Sequence, residues 1–592
     1  RLTLTDVAIQ GNAIYNLGGV VSGPDTSAGA GVWLYGVQGA SPGLGVDISG
    51  NTFDDIYSGL DGGVPEPGVG VAVIDDGDGV PDQGASIAGN SYSDTFSGVV
   101  TFIGNSSVAE AGANFSNVTL LALNVGNLAT VNEATLAKYA KSDMPTGYPS
   151  STAYFAKIND AIANSDAGAA ISVTAGTFNE NVVVNKRVTV TGVGSGAGDT
   201  VISSSAGGSG GVVQLAASGL SASQPILLKD LRIQPTGMAG ISVGQFTAAT
   251  GTNVSYVELD NVHVVGTNTN PCTEQERGLY VDLTSSLTNL KISDSAFDNL
   301  HYGWYLHKQV SADTSTVQFV DVDDTTFNHN NFKGLYAEKL EDATFTGVTV
   351  NQNGYDNSML GLCSYFGPFV AGVDVNLKAG AYQNLTFDNA TVTNNALGNA
   401  KEGVGLTVKA RDDGVTYGAF PATLTNVTID DGLVTGNERG IRIGEPGKNN
   451  AGPTNVVVED VCISGNVQTY SGVDGSAYGG LVNQSLASVD AENNWWGSAT
   501  GPTNPSNPGG TGDAVYENGP VDFTPWLNAC GGSPTGNFHN ITDNTFFATM
   551  QAAVNAASYG DIIVPLAAGP FGVEGSATVA VSGVTIRLSG RT

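Results

Sequence analysis

The chain has 592 residues, 81 of them Gly, and its 22 Lys and Arg against 55 Asp and Glu leave a formal net charge of −33. Hydrophobic residues make up 41% of the chain, so it has apolar surface to bury and is not a disordered acidic tail. A chain this acidic lacks the dense Lys and Arg that nucleic acid or an anionic membrane attracts. No stretch approaches the roughly 20 apolar residues of a membrane span. We expect no nucleic-acid partner and no membrane span.

A short phrase recurs along the chain: an apolar residue, a small or polar residue, a third residue that is usually Gly or Asn, and then Asn. Apart from one long gap between residues 90 and 327, neighbouring copies lie 23 to 42 residues apart, about one supersecondary unit, which indicates a stacked array rather than one globular core. The copies are Ile9–Asn12, Ile48–Asn51, Ile87–Asn90, Phe327–Asn330, Val350–Asn353, Val392–Asn395, Val434–Asn437 and Ile463–Asn466.

Stretches of period-two alternation flank these phrases. Thr425–Ile429 precedes one copy, and alternation of apolar and polar residues predicts a strand with one face inward. Gly303–Leu306 and Gly440–Ile443 are examples of a second alternating stretch that follows a copy. Helical periods are nearly absent between the strands. The pattern predicts an all-β parallel β-helix, with a β-sandwich or propeller as the alternative.

The Asn of each phrase has a predicted role in the coil. Gly and Asn both tolerate a positive φ, so each phrase supplies a turn between strands. We expect the Asn side chains of successive coils to stack inside the turn and to hydrogen-bond to one another and to nearby backbone groups.

An acidic loop occupies residues 75–82 in the first part of the chain. Asp76, Asp78 and Asp82 resemble the calcium ligands of thrombospondin type-3-like repeats, with Gly79 at the sharp turn. Ile74 stands where that family has a further Asp. We therefore consider a calcium site here, with a solvated acidic turn as the alternative.

Two segments predict short amphipathic helices, at residues 154–163 and 546–557. A coil of strands needs a lid, because its terminal strands otherwise expose unpaired N–H and C=O groups. Each helix has one apolar face suited to that purpose. The predicted covering residues are Phe155, Ile158 and Ile162 in the first helix and Phe546, Met550 and Val554 in the second.

Three parts of the chain resemble the right-handed parallel β-helix superfamily that includes pectate-lyase-like enzymes and many bacterial surface proteins. The first two resemble the beginning of such a domain, and the third is similar to the terminal signature of bacterial surface β-helix domains. The resemblance implies a tandem right-handed parallel β-helix, a solenoid, with short α-helical N-terminal caps. The three parts are Tyr154–Ala163 with Ala170–Val182 and Lys186–Val193; Phe546–Ala557 with Gly560–Val564; and Asn493–Pro502 with Val521–Leu527.

These signals divide the chain into four parts. We expect the last coils of one β-helix in residues 1–128, a linker in 129–150, a complete coil in 151–528 and the start of another in 529–592. Trp495, Trp496 and Trp526 are expected to close the complete coil by burying apolar area, with a sugar-binding platform as the alternative. Because the chain starts and stops within a coil, we expect a tandem array or head-to-tail docking of copies, which builds open fibres.

The predicted coil allows an inventory of outward-facing side chains. Aligning the strands on their opening Gly places three Tyr in one exterior column and several charged residues in the next, while the residues between them are apolar and face inward. The first column contains Ser242, Tyr280, Tyr305, Tyr336, Asp374, Thr407 and Arg442. The second contains Asp282, His307, Glu338, Asn376 and Lys409.

The two columns form a plausible groove for an extended glycan. Lyases of the superfamily abstract a proton α to a uronate carboxylate, so His307 or Lys409 is a candidate base and Arg442 a candidate carboxylate ligand. Aromatic and charged ladders also stabilise any exposed sheet by roughly 0.2–1 kcal/mol per pair. The negative chain repels polyuronates, and no compact cluster of acids is visible.

The four Cys residues lack the close spacing of a zinc site. In an oxidising compartment we would pair Cys272 with Cys363 and Cys462 with Cys530, with free buried thiols as the alternative.

These observations lead to one main functional hypothesis. We expect an extracellular, non-enzymatic surface protein that forms a fibre, sheath or surface layer, with calcium as its candidate cofactor and other copies of itself as its partners. The alternatives are a polysaccharide lyase or hydrolase and a glycan-binding adhesin, both using the predicted columns.

Overall fold

The computed structural model describes the backbone of the strands before residue 156, with few side chains there. It then describes residues 157–203, 210–244, 251–266, 276–354, 369–398, 402–412, 414, 417–467, 478–566 and 578–587. The chain divides into two compact units. Residues 1–202 and 224–232 form the first unit, and residues 203–223 and 233–592 form the second. The domain limits at residues 128, 150 and 528 stay predictions.

The first unit contains parallel strands followed by an antiparallel edge. β1, β4, β7 and β9 pair in parallel, as do β2, β5, β8 and β10. Its strands are β1 (Val7–Gln10), β2 (Ala13–Leu17), β3 (Ala30–Tyr35), β4 (Val46–Ser49), β5 (Thr52–Asp61), β6 (Val64–Ile74), β7 (Ala85–Ala88), β8 (Ser91–Ile103), β9 (Glu110–Ala111), β10 (Asn114–Leu120), β11 (Ala140–Asp143), β12 (Thr152–Phe155), β13 (Ala170–Val173), β14 (Gly176–Asn179), β15 (Val182–Val184), β16 (Thr189–Thr191) and, extending to its boundary, β17 (Thr200–Ser203).

Most of the remaining strands wind as successive coils of a parallel β-helix, and the last six form small sheets that contain antiparallel pairs. They are β18 (Gly211–Leu215), β19 (Ile226–Gln234), β20 (Ala239–Val243), β21 (Asn253–Val265), β22 (Arg277–Val281), β23 (Ser286–Ser293), β24 (Ala296–Asp298), β25 (Tyr302–Leu306), β26 (Val317–Asp323), β27 (Thr326–Asn328), β28 (Lys333–Ala337), β29 (Glu341–Thr346), β30 (Thr349–Asn351), β31 (Ala371–Leu377), β32 (Gly380–Asp388), β33 (Thr391–Thr393), β34 (Val404–Ala410), β35 (Ala422–Asp430), β36 (Leu433–Thr435), β37 (Ile441–Ile443), β38 (Thr454–Glu459), β39 (Cys462–Ser464), β40 (Leu481–Asn483), β41 (Val489–Asp490), β42 (Val515–Glu517), β43 (Val521–Asp522), β44 (Trp526–Leu527), β45 (Pro534–Thr535), β46 (Phe538–Asn540), β47 (Thr545–Phe547), β48 (Ile562–Pro565) and β49 (Thr585–Ile586).

Within the second unit, most coils contribute one strand to each of three parallel sheets. One sheet runs β20-β22-β25-β28-β31-β34-β37-β40-β42, the next runs β23-β26-β29-β32-β35-β38-β41-β43, and the third runs β24-β27-β30-β33-β36-β39. Parallel strands in successive coils satisfy each other's N–H and C=O groups, so the winding needs no hairpins. The predicted all-β parallel β-helix is confirmed, and the sandwich and propeller alternatives are wrong.

The interior of the coil is apolar, as the alternation predicts. The predicted inward residues Leu279, Trp304, Leu335 and Ile441 are each at most 1% exposed. Aromatic rings stack between coils: Phe345 and Phe387 lie 5.0 Å apart with a 10° angle between their rings. Because these side chains lie directly above one another, each coil buries the apolar surface of the next.

The predicted Asn stack is present as a continuous ladder. Each Asn amide donates one hydrogen to Oδ1 of the next Asn at 2.9–3.1 Å and another to a backbone carbonyl of the preceding coil at 2.8–3.0 Å. The ladder ends on Asp513, whose Oδ2 accepts from the Asn466 amide at 2.9 Å. The Asn residues are Asn330, Asn353, Asn395, Asn437 and Asn466, each at most 3% exposed.

The Gly that opens each strand of the first sheet is explained by this ladder. A Cβ placed on these residues would lie 2.7–3.2 Å from an atom of the adjacent Asn amide. At four of the five residues a Cβ would also lie 2.2–2.7 Å from the carbonyl oxygen of a Gly in the next coil, so the close approach of the coils and the ladder together exclude a side chain here. The Gly residues are Gly303, Gly334, Gly372, Gly405 and Gly440.

A short helix, α1 (Ile158–Asn164), lies at the predicted first cap. Ile158 and Ile162 are buried. The Glu180 carboxylate accepts from the Ile158 backbone N–H at 2.7 Å, and Lys186 Nζ donates to the Ala163 and Ser165 carbonyls at 3.0 and 2.9 Å. Glu180 and Lys186, which lie in the two segments after the helix, therefore bind its two ends, where unpaired backbone groups need partners.

The structure departs from the prediction just before this helix. Phe155 ends strand β12 rather than lying in the helix, and β11, inside the predicted linker, pairs antiparallel with β12 and with β13. β11 therefore covers the edge of β13, and β12 covers β11 in turn, whereas the sequence pattern predicts that the helix alone covers this end. Short apolar runs do not distinguish strand from helix, which is why the pattern missed them.

The second predicted cap helix, α2 (Met550–Ala556), begins after Thr549, whose hydroxyl accepts from the Ala552 N–H at 3.1 Å. Val554 is buried, whereas Phe546 lies in strand β47 instead of the helix. Both described helices have seven residues. Within the described residues, none is long and apolar enough to span a membrane.

The Trp-rich terminus is buried rather than displayed. Trp496 and Trp526 are 0% and 1% exposed, and the Trp526 indole N–H donates to the Ala499 carbonyl at 3.2 Å. A disulfide joins Cys462 to Cys530, as predicted, with 5.4 Å between the Cα atoms. Cys272 and Cys363 lie outside the described residues, and so do Asp76, Asp78 and Asp82 of the predicted calcium loop.

Candidate functional site on the outer face of the first sheet

The strand register places the predicted outward residues in the expected columns. Tyr280, Tyr305 and Tyr336 pair in sequence across β22, β25 and β28. The same column continues to Asp374, Thr407 and Arg442 on β31, β34 and β37 and begins at Ser242 on β20. We name the outward side chains on and directly after β22, β25, β28, β31, β34 and β37 the polar face.

Most of this face is buried, which the sequence did not predict. Asp282 is 2%, Glu338 1%, Lys409 5% and Arg442 1% exposed. The His307 side chain keeps 26% of its surface in contact with solvent, and Tyr305 and Tyr336 are half-buried. Period-two alternation distinguishes the inside of a coil from its outside, but it does not show whether other parts of the chain cover the outside.

His307 is held by a chain of polar contacts. The Tyr280 hydroxyl donates to Asp282 Oδ1 at 2.8 Å and lies 3.4 Å from His307 Nδ1. Because the hydroxyl gives its one hydrogen to Asp282, we assign the ring proton to Nδ1, the tautomer that can donate to the hydroxyl, and leave Nε2 unprotonated. The imidazole also stacks on Tyr305, with ring centroids 4.7 Å apart.

The Glu338 carboxylate faces the other side of this histidine. It accepts from the Tyr336 hydroxyl at 2.7 Å and from the Lys308 backbone N–H at 3.0 Å, and it forms an ion pair with Lys378. Its Oε2 lies 3.9 Å from His307 Nε2. Burial alone would raise the pKa of Glu338, but Lys378, His307 and the backbone hydrogen bond outweigh it and hold the pKa below its usual value.

The His307 side chain is a neutral base at physiological pH. Burial lowers its pKa to about 4, although Glu338 acts in the opposite direction. The unprotonated nitrogen of a partly exposed imidazole beside a carboxylate can accept a proton from a bound molecule, and the carboxylate stabilises the imidazolium that results. Burial similarly raises the pKa of Tyr305 and Tyr336 well above the ordinary value, so both phenols remain protonated.

Cations that the columns did not include lie against the tyrosine rings. The Arg277 guanidinium carbon is 4.6 Å from the Tyr280 ring centroid, and Lys333 Nζ is 3.6 Å from that of Tyr336. A third cation outside the columns, Lys378, forms an ion pair with Glu338. A signal for two of them was present in the sequence, since Arg277 and Lys333 each directly precede the Gly that opens a strand.

The polar face has little net charge in a chain of −33. Each carboxylate in its middle has a cation within ion-pair distance: Asp374 lies 2.6 Å from Lys333 and 2.9 Å from Lys409. Further along, Arg442 Nη2 is 3.9 Å from Glu402 and Arg411 Nε 2.6 Å from Glu445. The repulsion of polyuronates expected from the total charge therefore does not apply to this face.

The predicted catalytic set is not one cluster. Three strand spacings separate Lys409 from His307, roughly 14 Å, and four separate Arg442 from Tyr305, roughly 19 Å. Lys409 is paired with Asp374, and Arg442 donates to Thr407 Oγ1 at 3.3 Å. Tyr280, Tyr305, Tyr336, Asp282, His307 and Glu338 do lie together, and Arg277, Lys333 and Lys378 complete the group.

One other acidic group suits a metal ion by distance. Among the described residues, Asp388, Asp430 and Asp431 bring carboxylate oxygens within 4.8 Å of one another. Burial, followed by repulsion from Asp431, raises the pKa of Asp430. Asp388 and Asp430 are the last residues of β32 and β35 in the second sheet, so the group lies away from the polar face.

No protein-family model matches the chain, and no curated protein matches it. Several solved structures are similar in fold. The enzymatically active domain of bacteriophage CBA120 tailspike protein 2 is 13% identical over 70% of this chain and 59% of its own, with a TM-score of 0.32. The catalytic unit of a GH87 α-1,3-glucanase from Streptomyces thermodiastaticus is 15% identical over 64% of this chain and 67% of its own, with a TM-score of 0.27.

The A-module of the mannuronan C-5 epimerase AlgE4 from Azotobacter vinelandii is 11% identical over 84% of this chain and 89% of its own, with a TM-score of 0.24. The chain spans 38% of the full-length tailspike. Our expectation of a non-enzymatic protein is contradicted by these neighbours, which are enzymes or enzymatically active domains, and it is withdrawn. At these TM-scores the likeness is one of fold, and the substrates belong to those proteins.

Proposed function

We propose that this protein is a glycan-processing enzyme whose polar face removes a proton from a uronic acid residue. One observation carries the proposal: His307 is a neutral, partly exposed imidazole that is oriented by Tyr280 and stacked on Tyr305, whose ring in turn stacks on Tyr336. The proton at C5 of a uronate lies α to the carboxylate and is the acidic proton that such a base removes.

Each neighbour of His307 has a role in this reaction. Tyr305 and Tyr336 present half-buried ring surface along which sugar units can lie. Arg277 and Lys333 lie against tyrosine rings. From there their positive charge attracts the substrate carboxylate electrostatically, without touching it. Lys378, whose side chain is 16% exposed, is the cation placed to contact that carboxylate directly.

Proton abstraction fits the face better than hydrolysis does. A glycosidase needs one carboxylic acid with a raised pKa as its proton donor. The pKa values of Glu338 and Asp374 are instead held below their usual values, the former by Lys378 and the latter by Lys333 and Lys409, and in both cases against the effect of burial. These two groups are therefore ionised and serve to hold cations and the histidine.

The protein is placed outside the cell in this proposal. The Cys462–Cys530 disulfide supports that location, because such bonds persist in oxidising compartments. Calcium at the acidic loop and assembly into fibres stay predictions from the sequence.

The proposal is tested by incubating the full chain with a panel of polyuronates. Elimination is followed by the ultraviolet absorbance of the unsaturated product, C5 inversion by NMR and hydrolysis by new reducing ends. We expect His307→Ala to reduce the rate by about 100-fold or more. His263→Ala is the matched control, since the His263 side chain is 27% exposed and lies outside the polar face. Hydrolysis without elimination or inversion, no reaction on any polyuronate, or equal rates for both variants would contradict the proposal.

A further inference from the structure

A second candidate site lies near the carboxyl end of the chain, in a cavity of about 780 Å³. We propose that this cavity binds a glycan that carries free amino groups. It lies within the second unit, uses none of the residues of the polar face and, unlike that face, is lined by acids that no cation among the described lining residues balances. We name it the acidic cleft, lined among others by Glu492, Asp522, Asp543, Thr545, Phe546 and Phe547.

The walls of the acidic cleft come from two different structures. One wall is formed by the last two coils, where Glu492 follows β41 and Asp522 ends β43. The other is the β46–β47 hairpin, whose turn carries Asp543, together with one side of α2. The β44–β45 pair and the disulfide to Cys530 lie in the connection between the walls. These contacts tie the connection to the coil, so the distance between the two walls does not depend on a free linker.

The charge of the acidic cleft is negative and unbalanced. Glu492, Asp522 and Asp543 line it, and no Lys or Arg is among the described residues that line it. Burial raises the pKa of Glu492 to about 7, and repulsion from Asp522, Asp490 and Glu459 adds to the shift. Burial also raises the pKa of Asp522. A cationic ligand would relieve this repulsion, whereas a uronate would add to it.

The distribution of the acids argues against a single metal ion. In the described part of the chain, three carboxylates converge within 4.8 Å only at Asp388, Asp430 and Asp431, outside the acidic cleft. A calcium ion requires six to eight oxygens at about 2.3–2.6 Å. Acids that are spread over a cavity of this size suit several amino groups along one extended molecule.

The remaining lining favours a sugar. Phe546 and Phe547 are half-buried, and the Phe546 ring is held against His539 with centroids 4.3 Å apart and a 6° angle between the planes. Fixed aromatic surface combined with a few polar groups is typical of pockets for small ligands. Ser506 and Thr545 add hydroxyl groups at the lining. An amino-sugar oligomer has the apolar ring faces, the hydroxyls and the cations that match this surface.

The experiment measures calorimetric binding of a glucosamine hexamer to the full chain at about pH 6, with the N-acetylglucosamine hexamer as the matched uncharged ligand. We expect the first to bind at least tenfold more tightly. Glu492→Gln and Phe546→Ala should each weaken binding about tenfold. Because Glu492 is largely protonated at this pH when the cleft is empty, binding should release its proton, while the ligand amines exchange protons of their own. The number of protons exchanged, obtained from the variation of the enthalpy between buffers, should therefore differ between the wild type and Glu492→Gln by the proton of Glu492.

Asp430→Asn is the control for adventitious attraction between a polycation and an acidic protein, because it removes one charge from the Asp388–Asp431 group instead of the cleft. It should leave the affinity unchanged. Equal affinity for both hexamers, equal loss in the Asp430 and Glu492 variants, or no effect of Phe546→Ala would overturn the proposal. The probes are not uronates, so this result is independent of the activity proposed for the polar face.

Discussion

Lys333 Nζ lies 2.6 Å from Asp374 Oδ2, and both side chains are at most 4% exposed. Removing two charges from water costs several kcal/mol, which their attraction offsets only when geometry and neighbours are favourable. Here Lys409 approaches the other carboxylate oxygen at 2.9 Å. Burial lowers the pKa of Lys333 to about 8, partly countered by Asp374. The stability of the polar face therefore depends on this carboxylate.

Replacing Asp374 by Asn should be strongly destabilising. The variant leaves two buried ammonium groups without a counter-charge, and we expect a loss of about 3–5 kcal/mol in the free energy of unfolding. Glu258→Gln is the control, because its partner Lys291 is 52% exposed and such surface pairs contribute about 0–1 kcal/mol. Denaturant unfolding measures both. A loss under 1 kcal/mol for Asp374→Asn would show that solvent reaches the site.

The Asn ladder predicts that replacing a buried Asn costs more stability than replacing an exposed one. Asn395→Ala removes a side chain that bridges Asn353, Asn437 and the Val350 carbonyl, leaving several buried groups unpaired. We expect a loss on the order of 3 kcal/mol. Asn426 belongs to an exposed row in which its amide donates to Asn384 at 2.9 Å. Its φ is 63°, so Asn426→Gly keeps the backbone unstrained.

The Asn426→Gly substitution should change the free energy of unfolding by under about 1 kcal/mol, because water replaces the lost hydrogen bonds. Thermal or denaturant unfolding of the two variants side by side provides the measurement. Similar losses in both would mean that burial does not determine the strength of these ladders.

The ladder and the columns were predictable because both repeat. An Asn once per coil and a period of two in each strand determine which side chains stack, whatever else the chain does. The charged partners were only partly visible: Arg277 and Lys333 precede a repeated Gly, but Lys378, directly after β31, lies beyond the two predicted columns. Burial of Asp282 and Glu338 was not predictable, because it depends on what covers the outside of the coil. Phe155 and Phe546 were misassigned for a third reason, since a few apolar residues fit a strand or a helix equally well.

The disulfide gives a prediction about the terminus. Cys462 and Cys530 are 68 residues apart, and closing a loop of that length lowers the entropy of the unfolded chain by an amount worth about 4 kcal/mol. The double variant Cys462→Ala, Cys530→Ala should lower the midpoint of thermal unfolding under non-reducing conditions. A peptide map without reductant checks the bond itself and also tests the predicted Cys272–Cys363 pair. Free thiols at all four positions would refute both.

His301 predicts how stability varies with pH. Its ring is 2% exposed, stacks on Phe332 and lies near Arg277 and Lys333, and burial followed by these two cations lowers its pKa to about 3. The unfolded chain has the ordinary histidine pKa of about 6.5. Between these values the unfolded state binds the additional proton, so stability falls as the pH is lowered through this window.

From about pH 7 to about pH 4.5 the contribution of His301 is roughly 2–3 kcal/mol of lost stability. Protonation of Glu492, whose pKa is raised, acts in the opposite direction over part of the range. The comparison is therefore made between the wild type and His301→Gln, each measured at both pH values. The packing cost of the substitution is the same at both pH values, so it cancels when the two free energies of unfolding of the variant are subtracted. On acidification the variant should therefore lose about 2–3 kcal/mol less stability than the wild type. Equal losses in the two proteins would show that the imidazole is protonated in the folded state.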